Sequence, residues 1–301
     1  MNLEQDKLDF EKNGFIGPFK LWEPDEMTQW WREQRRILLD PESRKNAVFD
    51  NPVNYDRHLD IDGLSRLIFE QEIVRRFQAL IGDDLLCWRT EFFPKNPGDP
   101  GTGWHQVERY AIGEAQRGML EPTLQTDNAP MELTAWVAFT PATRENGCMR
   151  LLPGSHREWR YDEMRSIRWD GSRPENTFFG YDYDELKLDP NWSPPEDEVA
   201  HMEMDPGEFI IFTARCIHGS NPNTSRRQRM GFAIRVVPTH VKVYDGMTGF
   251  NEFGHDFDLT KHGCVLLAGQ DRYGHNRFAP ENASGLSFAP LGPAPAPVAA
   301  Q

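Results

Sequence analysis

The chain has 301 residues, 38% of them hydrophobic, enough to bury a large core in one domain, or in a domain with a covering subdomain. A formal net charge of −14 argues against a nucleic-acid partner, because a phosphate backbone calls for clustered Lys and Arg, and no apolar run is long enough to span a bilayer. The N-terminal stretch lacks the basic and apolar regions of a secretory signal. Cys87, Cys148, Cys216 and Cys264 are widely spaced without a CxxC pair, which fits a reducing cytoplasm and not a zinc-thiolate site.

In chain order, residues 24–39, PDEMTQWWREQRRILL, predict a helix with Pro24 at its start, acids in the first turn, and Trp30, Trp31, Ile37 and Leu38 as apolar positions. Residues 63–81 predict a second amphipathic helical region, stopped at Gly82. From Leu85 short apolar runs alternate with Gly, Pro and Asn: LLCWRTEFF, GWHQVERYA, MELTAWVAFT, CMRLLPGSH, GEFIIF and RMGFAIRVVP. Strands of this length and spacing predict a two-sheet antiparallel β-sandwich. The polar, aromatic stretch at about 157–200 reads as an insertion covering one mouth of the sandwich. The Pro/Ala-rich segment 286–301 reads as a disordered tail, leaving 1–285 as a single domain.

Two of the strand-like runs carry a metal pattern. His105 lies in WHQVERY, and His218 lies in CIHGSNPNTSRRQR, followed eleven positions on by Arg229. Iron(II) takes imidazole and carboxylate ligands on one face, leaving open positions for cosubstrate and oxygen. The forked guanidinium of Arg229 suits the far carboxylate of 2-oxoglutarate. Side chains two apart on a strand share a face, so position 107 should point where His105 points, and it holds Val107 rather than a carboxylate. The competing reading is two unrelated core or surface histidines. The HGSNPNTS context within a sandwich pattern favours the site.

These blocks, together with FEKNGFIGPF, NYDRHLD, NGCMRLLPGSH and FFGYDYDELKLDPNW, run in order along residues 8–280. They resemble the phytanoyl-CoA dioxygenase superfamily of Fe(II)/2-oxoglutarate enzymes. Within it they look most like the chlorinating enzymes of nonribosomal peptide pathways, typified by the syringomycin threonyl halogenase. The resemblance implies a mainly β fold with flanking helices, a double-stranded β-helix (cupin-like jelly roll). It implies His105 and His218 as iron ligands, Arg229 as the 2-oxoglutarate clamp, and Thr102 and Trp136 beside the cosubstrate. Fe(II), 2-oxoglutarate and O2 are the implied cofactors.

In the halogenases, Ala or Gly holds the place of the carboxylate, and the vacancy admits chloride. Val107 shares the loss of a ligand but adds two γ-methyls with little freedom to swing aside. Tyr110 stands where the halogenases have Phe, Ile112 where they have Asn, and Arg215 is a polar change beside the second ligand. Glu108 should face away from position 107 and reach the iron only through a bulge; it reads instead as a supporting group paired with Arg109.

On the substrate side, Glu91 and Phe93 share a strand face, where the resemblance implies contact between the acid and a substrate ammonium. Phe179 matches an aromatic at the pocket mouth. Each has a plain alternative, an ordinary ion pair or a core aromatic. Together they imply an amino-acid substrate, free or on a peptidyl carrier protein. Three outcomes stay open: halogenation at Val107's vacancy; hydroxylation, desaturation or ring closure; or a noncatalytic ligand-binding sandwich, separable by iron content and succinate release.

Overall fold

The computed structural model describes residues 1–45, 47–49, 54–111, 118–122, 130–165, 170, 181–252 and 254–293. The N-terminal part runs α1 (Leu3–Asn13), β1 (Phe15–Lys20), α2 (Pro24–Leu39), α3 (Pro41–Arg44), α4 (Asp62–Leu67) and α5 (Gln71–Ile81). Strands then dominate: β2 (Leu85–Lys95), β3 (Thr102–His105), β4 (Leu120–Pro122), β5 (Leu133–Ala138), β6 (Met149–Leu151), β7 (Ala200–Met202) and β8 (Glu208–Phe212). They continue through β9 (His218–Ser220), β10 (Arg229–Pro238), β11 (Val241–Val243), β12 (Gly249–Glu252), β13 (His255–Asp258) and β14 (Val265–Ala268).

α2 has the predicted bounds, and its start explains them. Pro24 occupies the first turn, and Glu23 and Glu26 satisfy each other's backbone N–H groups in a capping box. The single helical region expected over 63–81 is two helices. Between them Glu70 takes an extended conformation and its carbonyl caps α5, while Phe69 stacks on Phe288 at 6.0 Å. A continuous helix would forgo that contact.

The strands form the predicted pair of antiparallel sheets. The larger has the order β1-β8-β5-β10-β2-β14 and the smaller β3-β9-β6-β7, with β4–β11 and β12–β13 as two-stranded ribbons. The large sheet separates its side chains by period two. Phe92, Val137, Phe209, Phe232 and Ile234 face the helices and pack with Met27, Trp31, Ile73 and Phe77. Trp136, Ile210, Phe212 and Ala233 face the small sheet's Met149, Leu151 and Met202. Burying each such side chain is worth about 1.5–3 kcal/mol. This is the jelly roll the resemblance implied.

A bulge between Arg235 and Val236 against β2 puts Trp88 and Arg89 successively against Tyr244. The 157–200 insertion lays Tyr161, Tyr181 and Leu186 over Leu152 and Ile217. Residues 286–293 are not a loose tail: Leu291 bridges Ala268, and Arg75 Nη1 donates to the Gly292 carbonyl at 2.8 Å. The apolar Phe288 and Leu291 draw this segment onto the core despite its Pro/Ala surroundings. No helix among the described residues is long and apolar enough to cross a membrane, and all four cysteines are free and buried.

Gly231 on β10 lies under the Trp136 indole, where an added Cβ would fall 1.8 Å from ring carbon Cζ2. Gly231→Ala should therefore overpack the interior and cost about 1–3 kcal/mol in urea unfolding. An unchanged midpoint would mean that Trp136 is free to move.

Candidate active site

Register builds the centre of the site. On the small sheet β3 pairs with β9 so that His105 lies opposite His218, with ring centroids 4.1 Å apart. Each Nδ1 faces a carbonyl, His105 that of Gly103 at 2.9 Å and His218 that of Cys216 at 2.8 Å. A carbonyl only accepts, so both Nδ1 atoms carry the proton and both Nε2 atoms present lone pairs. Burial pushes His105 down to about 4 and His218 down as well, so both imidazoles are neutral ligands. Tyr183 from the insertion stacks on His105 at 4.4 Å and 17°, fixing its ring plane.

Beyond His105 the chain alternates as predicted. Gln106 turns away, and its amide donates to the carbonyls of Arg215 at 2.6 Å and Glu158 at 2.8 Å. Val107 returns to the pocket, its N–H held by the Ala214 carbonyl at 3.0 Å. Its side chain packs against the cluster of Trp88, Tyr110 and Met119. Glu108 does not replace the missing ligand: its carboxylate lies 3.8 Å from Arg215 Nε and accepts from Met131 N at 3.4 Å. Arg109, expected to pair with it, instead sits 3.8 Å from Glu121. Among the described residues, no group of three His, Cys, Asp or Glu could hold a metal. Ile112 and Phe179 lie outside the described residues.

Arg229, Thr102 and Trp136 line the same cavity as the two histidines. Its volume of about 120 Å³ is several times what one water needs, so it is a ligand space and not a packing void. Arg229 is 2% exposed, its guanidinium lies 5.1 Å from the Trp136 ring, and its Nε has no acceptor. No carboxylate among the described residues lies within ion-pair distance of it, and burial pushes it down to about 10. A buried guanidinium without a counter-ion fits a dicarboxylate ligand.

Glu91 is in the pocket wall, as expected, but it is already engaged. Arg235 Nη2 is 2.7 Å from one oxygen and Arg89 Nη1 is 3.3 Å from the other. Burial pushes Glu91 up, yet Arg235 and Arg89 outweigh it and hold the carboxyl below its usual range. Arg89 also pairs with Glu252 at 3.2 Å, and there burial wins and pushes the carboxyl up. Glu252 and Arg89 escaped the sequence reading; Glu252 comes from β12, more than 160 positions beyond Arg89, and no local spacing announces it. Glu163 was missed too. Its carboxylate accepts from the N–H groups of Glu108 at 3.0 Å and Arg109 at 2.9 Å, tying the insertion to the turn after Val107.

A double-stranded β-helix with two facing histidines, one buried and one half-buried, and an arginine without a carboxylate partner is the scaffold of a non-heme iron oxygenase. The chain matches the phytanoyl-CoA dioxygenase (PhyH) family over residues 10–231 and belongs to it. Among solved structures it is similar to "CytC3 with Fe(II) and alpha-ketoglutarate", 37% identical with a TM-score of 0.73 over 96% of this chain and 97% of that one. The epimerase SnoN, in complex with Fe3+ and alpha ketoglutarate, shares the fold at 20% identity and TM-score 0.58, over 89% of this chain and 96% of that one. Of curated relatives, ectoine dioxygenase of Streptomyces coelicolor is 20% identical over 71% of this chain and 70% of its own length. Dioxygenase trt7 of Aspergillus terreus is 27% identical over 49% of this chain and 39% of its own length, so the chain spans under half of that relative. The protein is an Fe(II)/2-oxoglutarate-dependent oxidoreductase of the dioxygenase type, with O2 as cosubstrate.

His105→Ala or His218→Ala should abolish stoichiometric Fe(II) binding and 2-oxoglutarate turnover; full turnover in either would place the metal elsewhere. Arg229→Ala should raise the 2-oxoglutarate Kd by roughly 30- to 1,000-fold, the loss of a charge-assisted bidentate pair. Equal affinity by calorimetry would assign the clamp to another group. Glu91→Ala removes the carboxylate that Arg235 pairs with and leaves Arg89 with Glu252, and should cost about 3–5 kcal/mol in unfolding experiments.

Proposed function

We propose that this enzyme is a halogenase acting on an unactivated aliphatic carbon of an amino acid, free or carrier-protein-bound, in natural-product biosynthesis. The observation that carries the reading is Val107, an apolar side chain lining the pocket with the two histidines, where the described residues hold no group of three His, Cys, Asp or Glu. When bound, iron supplies activation of O2 for attack on a C–H bond. His105 and His218 would hold it, and Arg229, Thr102 and Trp136 would orient 2-oxoglutarate. Val107 donates nothing, which leaves an exchangeable position for chloride. Tyr183 stacks over His105 and holds its ring plane.

An amino-acid substrate is supported by the acidic wall. Glu91 and Glu252 flank Arg89, and a substrate ammonium beside Glu252 would favour its ionised form. Glu252 is the better acceptor for that cation, because both oxygens of Glu91 already carry guanidiniums. A second reading keeps cofactor and substrate but ends in hydroxylation, desaturation or ring closure. It is favoured by Val107's methyls, which occupy part of the space an anion would take.

The deciding experiment is incubation with Fe(II), 2-oxoglutarate, chloride and free or carrier-bound amino acids, read by product mass. Val107→Ala or Val107→Gly should preserve or increase chlorination, because trimming methyls widens the position. Val107→Asp should remove it by placing a fixed carboxylate there. If wild type oxidises its substrate equally with and without chloride, and no halogenated product appears, the second reading stands in its place.

A further inference from the structure

The hydroxyl of Thr102 borders the pocket, and the direction of its proton is decided behind it. Lys95 is fully buried on β2, opposite Arg229 in the register of β10. Its Nζ lies 2.7 Å from the Pro100 carbonyl, 3.1 Å from the Asn221 carbonyl and 2.8 Å from Ser220 Oγ. An ammonium has three protons and no lone pair, so Ser220 Oγ must accept from it. The Thr102 N–H donates to the same oxygen at 3.2 Å. With both lone pairs of Ser220 used, its own proton goes to Thr102 Oγ1, 2.8 Å away. Thr102 then receives from behind, and its own proton is left for the pocket.

We propose that Lys95 and Ser220 are positioning residues that make the Thr102 hydroxyl a hydrogen-bond donor toward the 2-oxoglutarate carboxylate. The proposal rests on Arg229 and Thr102 flanking that cosubstrate. Neither Lys95 nor Ser220 need touch it. The relay has a sense, and one proton sets it. If Lys95 is neutral, its two protons satisfy the two carbonyls and its lone pair takes the Ser220 proton. Ser220 must then draw its second donor from the Thr102 hydroxyl, which turns a lone pair toward the ligand. A donor becomes an acceptor facing an anion.

The surroundings bring that proton within physiological range. Burial, reinforced by Arg229 on β10 and Arg150 on β6, pushes Lys95 down to about 7, while Asp99 in the loop after β2 favours the charge. A raised population of neutral lysine above that pH reverses the relay. Gly147 leaves room for the lysine stem, since a Cβ there would lie 2.4 Å from Lys95 Cδ.

The test is calorimetric titration of 2-oxoglutarate into the full-length protein, metal-free and anaerobically Fe(II)-loaded, between pH 6.5 and 8.5, roughly the window flanking that midpoint. Wild type should lose roughly tenfold in affinity across this range, the scale of one hydrogen bond to a charged group. Ser220→Ala and Lys95→Met should bind about tenfold more weakly at low pH and show a flat profile. Ser220→Ala removes one hydroxyl, so it keeps the idea testable if Lys95→Met fails to fold. Wild-type affinity and pH slope in Ser220→Ala would overturn the relay. Arg229→Ala is the control: if it loses affinity while the two relay variants do not, only the relay falls. If Arg229→Ala also binds normally, the cosubstrate site itself is misassigned.

Discussion

The pairing of β2 with β10 is the constraint on which the site depends. Ten successive partners, from Arg229↔Lys95 to Pro238↔Leu85, fix which side chains of both strands look inward. Because the period is two, a slip of β2 by one residue against β10 would send Glu91 and Phe93 to the helix side and turn the Phe92 side chain away from the helices. The helices enforce the register from outside. Phe92 and Phe232 meet at 4.9 Å, tilted by 56°, and Trp31 meets Phe139 at 5.0 Å, so a slip would expose an aromatic layer. The hydrophobic seam thus holds the polar one in place.

The polar seam is expensive, and its cost is distributed. Arg89 and Arg235 sit between Glu91 and Glu252, with Tyr110 accepting from Arg235 at 2.5 Å. Burial of several charges is tolerated because nearly every donor meets an acceptor. Arg229 differs in having no carboxylate within ion-pair distance among the described residues, and it lines the same cavity as the two histidines. The contrast between arginines with and without a carboxylate partner separates them more clearly than burial does, since Arg89 and Arg229 are both buried. Glu163 adds a mechanical link. A carboxylate on the insertion gathers the amides after Val107, so Glu163 and the turn after Val107 form one hydrogen-bonded unit.

Much of this was legible in the sequence where the signal is local. Pro24 and the acids behind it bounded α2, and alternation with turn residues gave the two sheets. His105, Val107 and His218 were legible because strand periodicity and their flanking blocks place them. What stayed hidden depends on contacts across the chain. Phe69 breaks a helical pattern for a partner 219 positions away, Phe288. Glu91 read as a free acid because the guanidiniums that engage it come from register, not from neighbours. Glu252 and the Lys95–Ser220 pair carry no motif, and composition alone assigned Leu291 to a loose tail.

The lone guanidinium of Arg229 also bears on how long the protein persists. A ligand that binds only the native state stabilises it by mass action, by about 2.7 kcal/mol at a hundred times its Kd. Under the assignment of Arg229 to the cosubstrate, 2-oxoglutarate would be such a ligand, neutralising a charge that no carboxylate of the described residues pairs with directly. The cosubstrate is then part of the folded protein's upkeep as well as its chemistry. A cell poor in 2-oxoglutarate would hold fewer copies of the enzyme, through faster clearance of opened chains, before turnover slowed for want of substrate.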